Sequence, residues 1–212
     1  MVRKEDIYIP CFQTMRTLHV YLPVGYENNK QKYPVFYMYD GHNLFHNEDA
    51  TFGKSWGMET YFDTHEIPVI VVGIECNHEG NQRLEEFSPY DFDDRYVGHI
   101  HGRGKALMEW VVSDLKPWID LRYRTKTGRR YTAIGGSSMG GLMALYTILH
   151  HNDIFSKAAC LSCFLYGVMA DIRQELKDHL HADTPVSYTH LDVYKRQGIW
   201  TGNTCRCDVA FI

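Results

Sequence analysis

Apolar positions along the chain follow two rhythms. Residues 17–22 alternate and stop at Pro23, which predicts an early strand. Residues 33–39 and 68–74 are near-continuous apolar runs, as expected of strands covered on both faces. Between them, 56–65 predicts a short helix. Residues 106–121 repeat Leu107, Trp110, Val111, Leu115 and Trp118 at helical spacing, predicting an amphipathic helix. A β-prone run at 131–134 is followed by Gly-rich sequence and then a helix-prone run at 142–149. Residues 155–161 predict another strand and 168–180 another helix. Strands alternating with helices predict an α/β fold with a doubly wound, mainly parallel sheet. The interruption is 77–105, long and polar. A connection of that length in a compact domain is more often functional than idle.

Composition narrows the picture. A chain of 212 residues, 44% hydrophobic and 23% charged, suits one α/β domain with a sizeable core. A net charge of −4 gives no basic stripe, so a nucleic-acid partner is not expected. No apolar run follows the charges of the first six residues, which argues against a signal peptide. No stretch reaches the length of a membrane span. Six cysteines without framework spacing fit a reducing, cytoplasmic setting. Cys160 and Cys163 form a C-x-x-C, but in a hydrophobic run they read as two core thiols.

The chemistry centres on Gly135-Gly136-Ser137-Ser138-Met139-Gly140-Gly141. Strand, tight turn, helix is the context of a G-x-S-x-G nucleophile elbow. Ser138 has Gly136 two residues before it and Gly140 two residues after. Ser137 would need a glycine where Met139 stands. Missing Cβ atoms let strand and helix crowd around a strained serine. The bland alternative is a Gly-rich turn without chemistry.

From about Thr17 to Phe164 the chain resembles the putative-esterase family of α/β-hydrolases, which includes acetyl-xylan, feruloyl and siderophore esterases and S-formylglutathione hydrolase. Four segments carry the resemblance: Val20-Tyr21-Leu22-Pro23; the stretch from Tyr37 through Asp40-Gly41-His42-Asn43 to Phe45; Val71-Val72-Gly73-Ile74; and the elbow. The resemblance implies hydrolysis of a small-molecule or carbohydrate-linked carboxylic ester through an acyl-serine on Ser138. It implies no metal and no organic cofactor. The oxyanion would be held by the backbone N–H of Met139 and a second N–H from about Gly41 or His42. An ordinary strand-ending turn, with His42 at the surface, is the alternative reading of those two residues. An acyltransferase of the same fold and a non-catalytic binding protein are the competing functions.

A serine hydroxyl needs a base, and in this fold acid and His follow the nucleophile in the chain. His150 and His151 lie twelve or more residues along the elbow helix, roughly 18 Å away at about 1.5 Å per residue. His179 and His181 end the next helix and read as solvent-exposed. His190 lies in 186–197, which back-translates, with suitable codons, into an inverted repeat resembling two transposase mosaic ends joined tail to tail. That segment reads as an assembly scar, and 198–212, with Cys205 and Cys207, as a non-native tail. The expected organisation is therefore a hydrolase domain over 1–185 lacking its last strands, acid and His. Of the other histidines, His78, His99 and His101 could together bind zinc, but a polar lid is the favoured reading. Asp91, Asp93 and Asp94 read as solvated charge. Tyr90 and Tyr96 either line a pocket or pack the loop.

Overall fold

The computed structural model describes residues 1–180 and the backbone of 186–189. A seven-stranded sheet organises them, in the order β1-β2-β4-β3-β7-β8-β9. Strands β1 (Val2–Ile9) and β2 (Thr14–Tyr21) form an antiparallel hairpin, and β2 runs antiparallel to β4 (Ile70–Ile74). From β4 onward every pairing is parallel: β3 (Val35–Tyr39), β7 (Thr132–Ser137), β8 (Lys157–Leu161) and β9 (Val186–Thr189). The expected α/β, mainly parallel architecture is what the chain adopts. Strand β1 lacked a sequence signal. Only Ile9 of its eight residues is fully buried, and its Arg, Lys, Glu and Asp suit a sheet edge that must not pair further.

Period-two alternation sends neighbouring residues to opposite faces of the sheet. Val35, Tyr37, Tyr39, Ile70, Val72 and Ile74 join the larger core. Phe36, Met38 and Val71 pack instead with Tyr21, Phe45 and Phe62. Phe62 belongs to α1 (Met58–Thr64), the predicted short helix. Because both faces are covered, β3 and β4 read as unbroken apolar runs.

The long polar segment has structure of its own: α2 (Gln82–Glu86) and a small hairpin of β5 (Phe92–Asp94) and β6 (Gly98–Ile100). After it, α3 (Gly104–Trp110), a π-helical turn (Val111–Leu115) and α4 (Lys116–Arg122) run on as one helix. Leu107, Val111, Leu115 and Ile119 are buried while Trp118 is only partly so. The wider turn moves the apolar face to Ile119. Helices α5 (Met139–His150) and α6 (Met169–His179) follow β7 and β8.

The sheet does not stop at β8, as setting 186–197 aside had implied. Val186–Thr189 pairs in parallel with β8, from Ala158↔Val186 to Leu161↔Thr189. The open edge of β8 offers unpaired backbone groups, and Val-Ser-Tyr-Thr is β-prone sequence able to fill them. The remainder of the scar and tail readings, His181, His190, Cys205 and Cys207 lie outside the described residues.

Candidate active site

Strand β7 sits between β3 and β8, its Ser137 paired with Leu161. The next residue leaves the strand. Ser138 has φ 57° and ψ −116° and is exposed, whereas Ser137 keeps its place in the ladder. A non-glycine backbone so placed costs on the order of 1–3 kcal/mol and persists only when its surroundings hold it. Three hydrogen bonds do so here. Ser138 N–H donates to Leu161 C=O at 3.0 Å, and Ser138 C=O accepts from Leu142 N–H at 3.1 Å and Phe164 N–H at 3.0 Å.

The glycines make room for this bend. A Cβ on Gly136 would stand 2.4 Å from the carbonyl oxygen of Gly140, backbone against backbone. Gly140 in turn faces Tyr39 and Asp40 at the end of β3, at 3.0 and 3.1 Å from its would-be Cβ. Leu142 to Ser138 is the first bond of α5. The N–H groups of Met139, Gly140 and Gly141 therefore lie in the turn that has no intrahelical acceptors, at the positive end of the helix.

The loop after β3 carries the second group of expected residues. Asp40 takes a left-handed conformation, φ 61° and ψ 47°, and leads into a single 3-10 turn, Gly41–Asn43. A Cβ on Gly41 would lie 2.3 Å from the backbone of Gly73, so the turn presses directly on β4. His42 is not the surface residue of the bland reading: it is 2% exposed. Its Nε2 is 3.0 Å from Thr51 Oγ1, and Nδ1 has no hydrogen-bond partner. Burial pulls its pKa down to about 4, against an upward pull from Asp40. The ring is therefore neutral near pH 7.

Asp40 is buried and bonded twice by Arg83, Nε to Oδ1 and Nη2 to Oδ2, both at 2.7 Å. Arg83 belongs to α2 and was not anticipated, since one arginine in an aperiodic polar segment gives no signal. The contacts of Gly140 with Tyr39 and Asp40 bring Asp40-Gly41-His42 to the elbow, two segments about a hundred residues apart in sequence.

A family model described as Putative esterase matches residues 10–207. The chain belongs to this family. The uncharacterized protein YbbA of Bacillus subtilis (strain 168) is 25% identical over 151 residues, 69% of this chain and 56% of that protein. The chain thus spans little more than half the length of this relative. An IroE-like serine hydrolase from Shewanella oneidensis superposes with a TM-score of 0.65 at 21% identity, over 84% of this chain and 56% of the other. The BES protein of Bacillus cereus does so at 0.69 and 20%, over 93% and 78%. These structures share the fold of this esterase-family chain.

The remaining expected residues fall elsewhere. His150, at the far end of α5, bonds Glu175 of α6 at 2.9 Å and packs on Tyr146 and His179. His151 faces Glu109 at 3.6 Å. His179 is half-buried against His150 rather than freely solvated. Tyr90 packs the loop, edge-on to Tyr146 and bonded to Glu175 at 3.1 Å, while Tyr96 is exposed. His78 does not join His99 and His101. It lies edge-on to His42, with ring centres 4.5 Å apart, whereas His99 and His101 pair with each other and with Asp91 and Asp93. Cys160 and Cys163 are buried free thiols, as expected; burial raises both, Cys163 to about 12. Among the described residues no side chain is hydrogen-bonded to the Ser138 hydroxyl.

Proposed function

We propose that the protein is a serine carboxylic-ester hydrolase and that Ser138 is its nucleophile. The observation that carries this reading is the backbone of Ser138: left-handed φ, exposed, and clamped at the junction of β7 and α5 by three hydrogen bonds. A loop without chemical use gains nothing by storing that strain.

The reaction would proceed in two steps. Ser138 Oγ attacks the acyl carbon of a small-molecule or carbohydrate-linked ester while a base removes its proton. The negative oxygen that develops is received by the N–H of Met139 and by an N–H from Gly41 or His42. Preorganised backbone donors of this kind are each worth about 3–4 kcal/mol of transition-state stabilisation. Collapse of the tetrahedral intermediate breaks the ester C–O bond and expels the alcohol, protonated by the base, leaving acyl-Ser138. Water, deprotonated by the same base, then attacks the acyl carbon, and the carboxylic acid departs as the proton returns to Ser138 Oγ. The imidazole side chain of His42 is not part of this relay: its Nε2 is engaged by Thr51 and its pKa is held near 4. We assign the base and its orienting acid to segments of the parent protein that this 212-residue chain does not hold. Support comes from the chain's spanning 56% of YbbA and 56% of the serine hydrolase. The unpaired thiols of Cys11, Cys76, Cys160 and Cys163 support a reducing, cytoplasmic location.

Turnover of p-nitrophenyl acetate tests the assignment. The full-length parent should hydrolyse it, Ser138→Ala should abolish the reaction, and Ser137→Ala should keep much of it. The 212-residue chain should show little Ser138-dependent turnover. Equal rates in the two forms would defeat the claim that the base is missing.

A further inference from the structure

His42, Cys76 and His78 approach one another where β3 and β4 end. One donor atom from each lies within 4.8 Å of the others. Cys76 is 1% exposed and His42 2%, while His78 is about half exposed. We infer that these three side chains form a binding site for a zinc-class divalent cation, made by side chains beside the loop whose backbone is proposed to serve Ser138.

The donor set comes first. Two imidazoles and a thiolate are ligands that zinc prefers, and three protein ligands leave a fourth position for water or another donor. Next, His42 Nδ1 is buried without a partner, an expense that a protein ring rarely bears for nothing. The Thr51 contact at Nε2 suits an N–H donor there, which would leave the Nδ1 lone pair free to ligate. His78 carries no such hydrogen bond: its Nε2 lies 3.6 Å from Glu75 Oε1, a carboxylate near enough to favour a cation at the site. Finally, the two segments are locked together by the Gly41–Gly73 contact, so the donors are brought close before any ion arrives.

Tetrahedral zinc needs donor separations of about 3.3–3.6 Å, from bonds of roughly 2.0–2.3 Å. The exposed His78 ring is the one that must close the gap. Binding would displace the Cys76 Sγ proton to solvent and replace it with a sulfur–metal bond. Burial, together with Asp40 and Glu86, pushes the Cys76 thiol up to about 12 against the opposing pull of Arg83 and Arg16, so the proton leaves only in exchange for the sulfur–metal bond. The other two histidine clusters differ. His150–Glu175–His179 and Asp91–His99–His101 contain no thiol, their closest ring contacts are hydrogen bonds to carboxylates at 2.9 and 2.8 Å, and all three residues of the second cluster are exposed.

Cobalt(II) serves as the spectroscopic probe, titrated into the intact 212-residue chain. One equivalent should give an intense thiolate-to-cobalt band in the near ultraviolet and tetrahedral d–d bands in the visible, both displaced by zinc. Cys76→Ser should remove the ultraviolet band. His78→Ala, at an exposed position that does not threaten folding, should weaken binding roughly tenfold or more. Replacing Cys205 and Cys207 by serine should leave the spectrum unchanged. Absence of the thiolate band, its survival in Cys76→Ser, or its loss with Cys205 and Cys207 would overturn the inference. The readout is metal binding, so it stands or falls independently of ester turnover.

Discussion

Alanine at Gly136 should damage the protein far more than its single added methyl group suggests. The new Cβ would lie 2.4 Å from the oxygen and 2.5 Å from the carbon of the Gly140 carbonyl. Ordinary contact begins near 3.4 Å, so the overlap is about 1 Å. Both opposing atoms are backbone, and no side chain can rotate out of the way. The junction of β7 and α5 must open, and the clamp on Ser138 opens with it. Overpacking of this kind costs about 1–3 kcal/mol. A loss of ~2 kcal/mol moves the urea midpoint by about 1 M, for a slope of about 2 kcal/mol per molar. The matched control is Gly128→Ala, where the nearest neighbour is Tyr131 Cδ2 at 4.0 Å and φ is −74°. That change should be neutral or stabilising by up to about 1 kcal/mol. Far-ultraviolet circular dichroism against urea measures both. Equal midpoints would refute the packing argument.

Further outcomes follow from buried charge. Arg16 and Glu86 form a buried pair, Nη2 to Oε1 at 2.6 Å, and Glu86 also accepts the Asn77 N–H at 3.0 Å. Arg16→Met should cost about 3–5 kcal/mol at pH 7 by stranding the carboxylate, and Arg16→Met with Glu86→Leu should recover most of it in urea melts. Burial already raises the Glu86 pKa above 4.5, so the folded state holds this proton more tightly than the unfolded. In Arg16→Met the penalty should shrink as pH falls through that region. His42 behaves in the opposite sense. Its folded pKa of about 4 lies below the ordinary 6.5, so stability present above pH 6.5 should be lost as pH falls from there towards 4. Thermal melts across that window, beside His42→Gln, should show a smaller acid loss in the variant.

Much of this was legible in the chain because it rests on period and on glycine. The two-sided apolar runs of β3 and β4 announced a covered parallel sheet. The glycines at 136 and 140 marked a place where backbones nearly touch. Edge strand β1 escaped because a strand that buries one face weakly carries charges at half of its positions. The Asp40–Arg83 pair and the meeting of His42 with Cys76 and His78 escaped for another reason. They join β3, β4 and α2 across separations that no local pattern encodes. The same topology explains why His78, grouped by sequence proximity with His99 and His101, turns to His42 instead. The π-helical turn moved burial to Ile119 because one wide turn shifts the phase of everything after it.

The central claim is that one hydroxyl, that of Ser138, accepts the acyl group. Intact-mass and peptide mapping of the full-length parent after exposure to a fluorophosphonate tests it directly. The account predicts one adduct, located on Ser138 and absent from Ser138→Ala. An adduct on Ser137, or none on a folded protein that still cleaves esters, would contradict it.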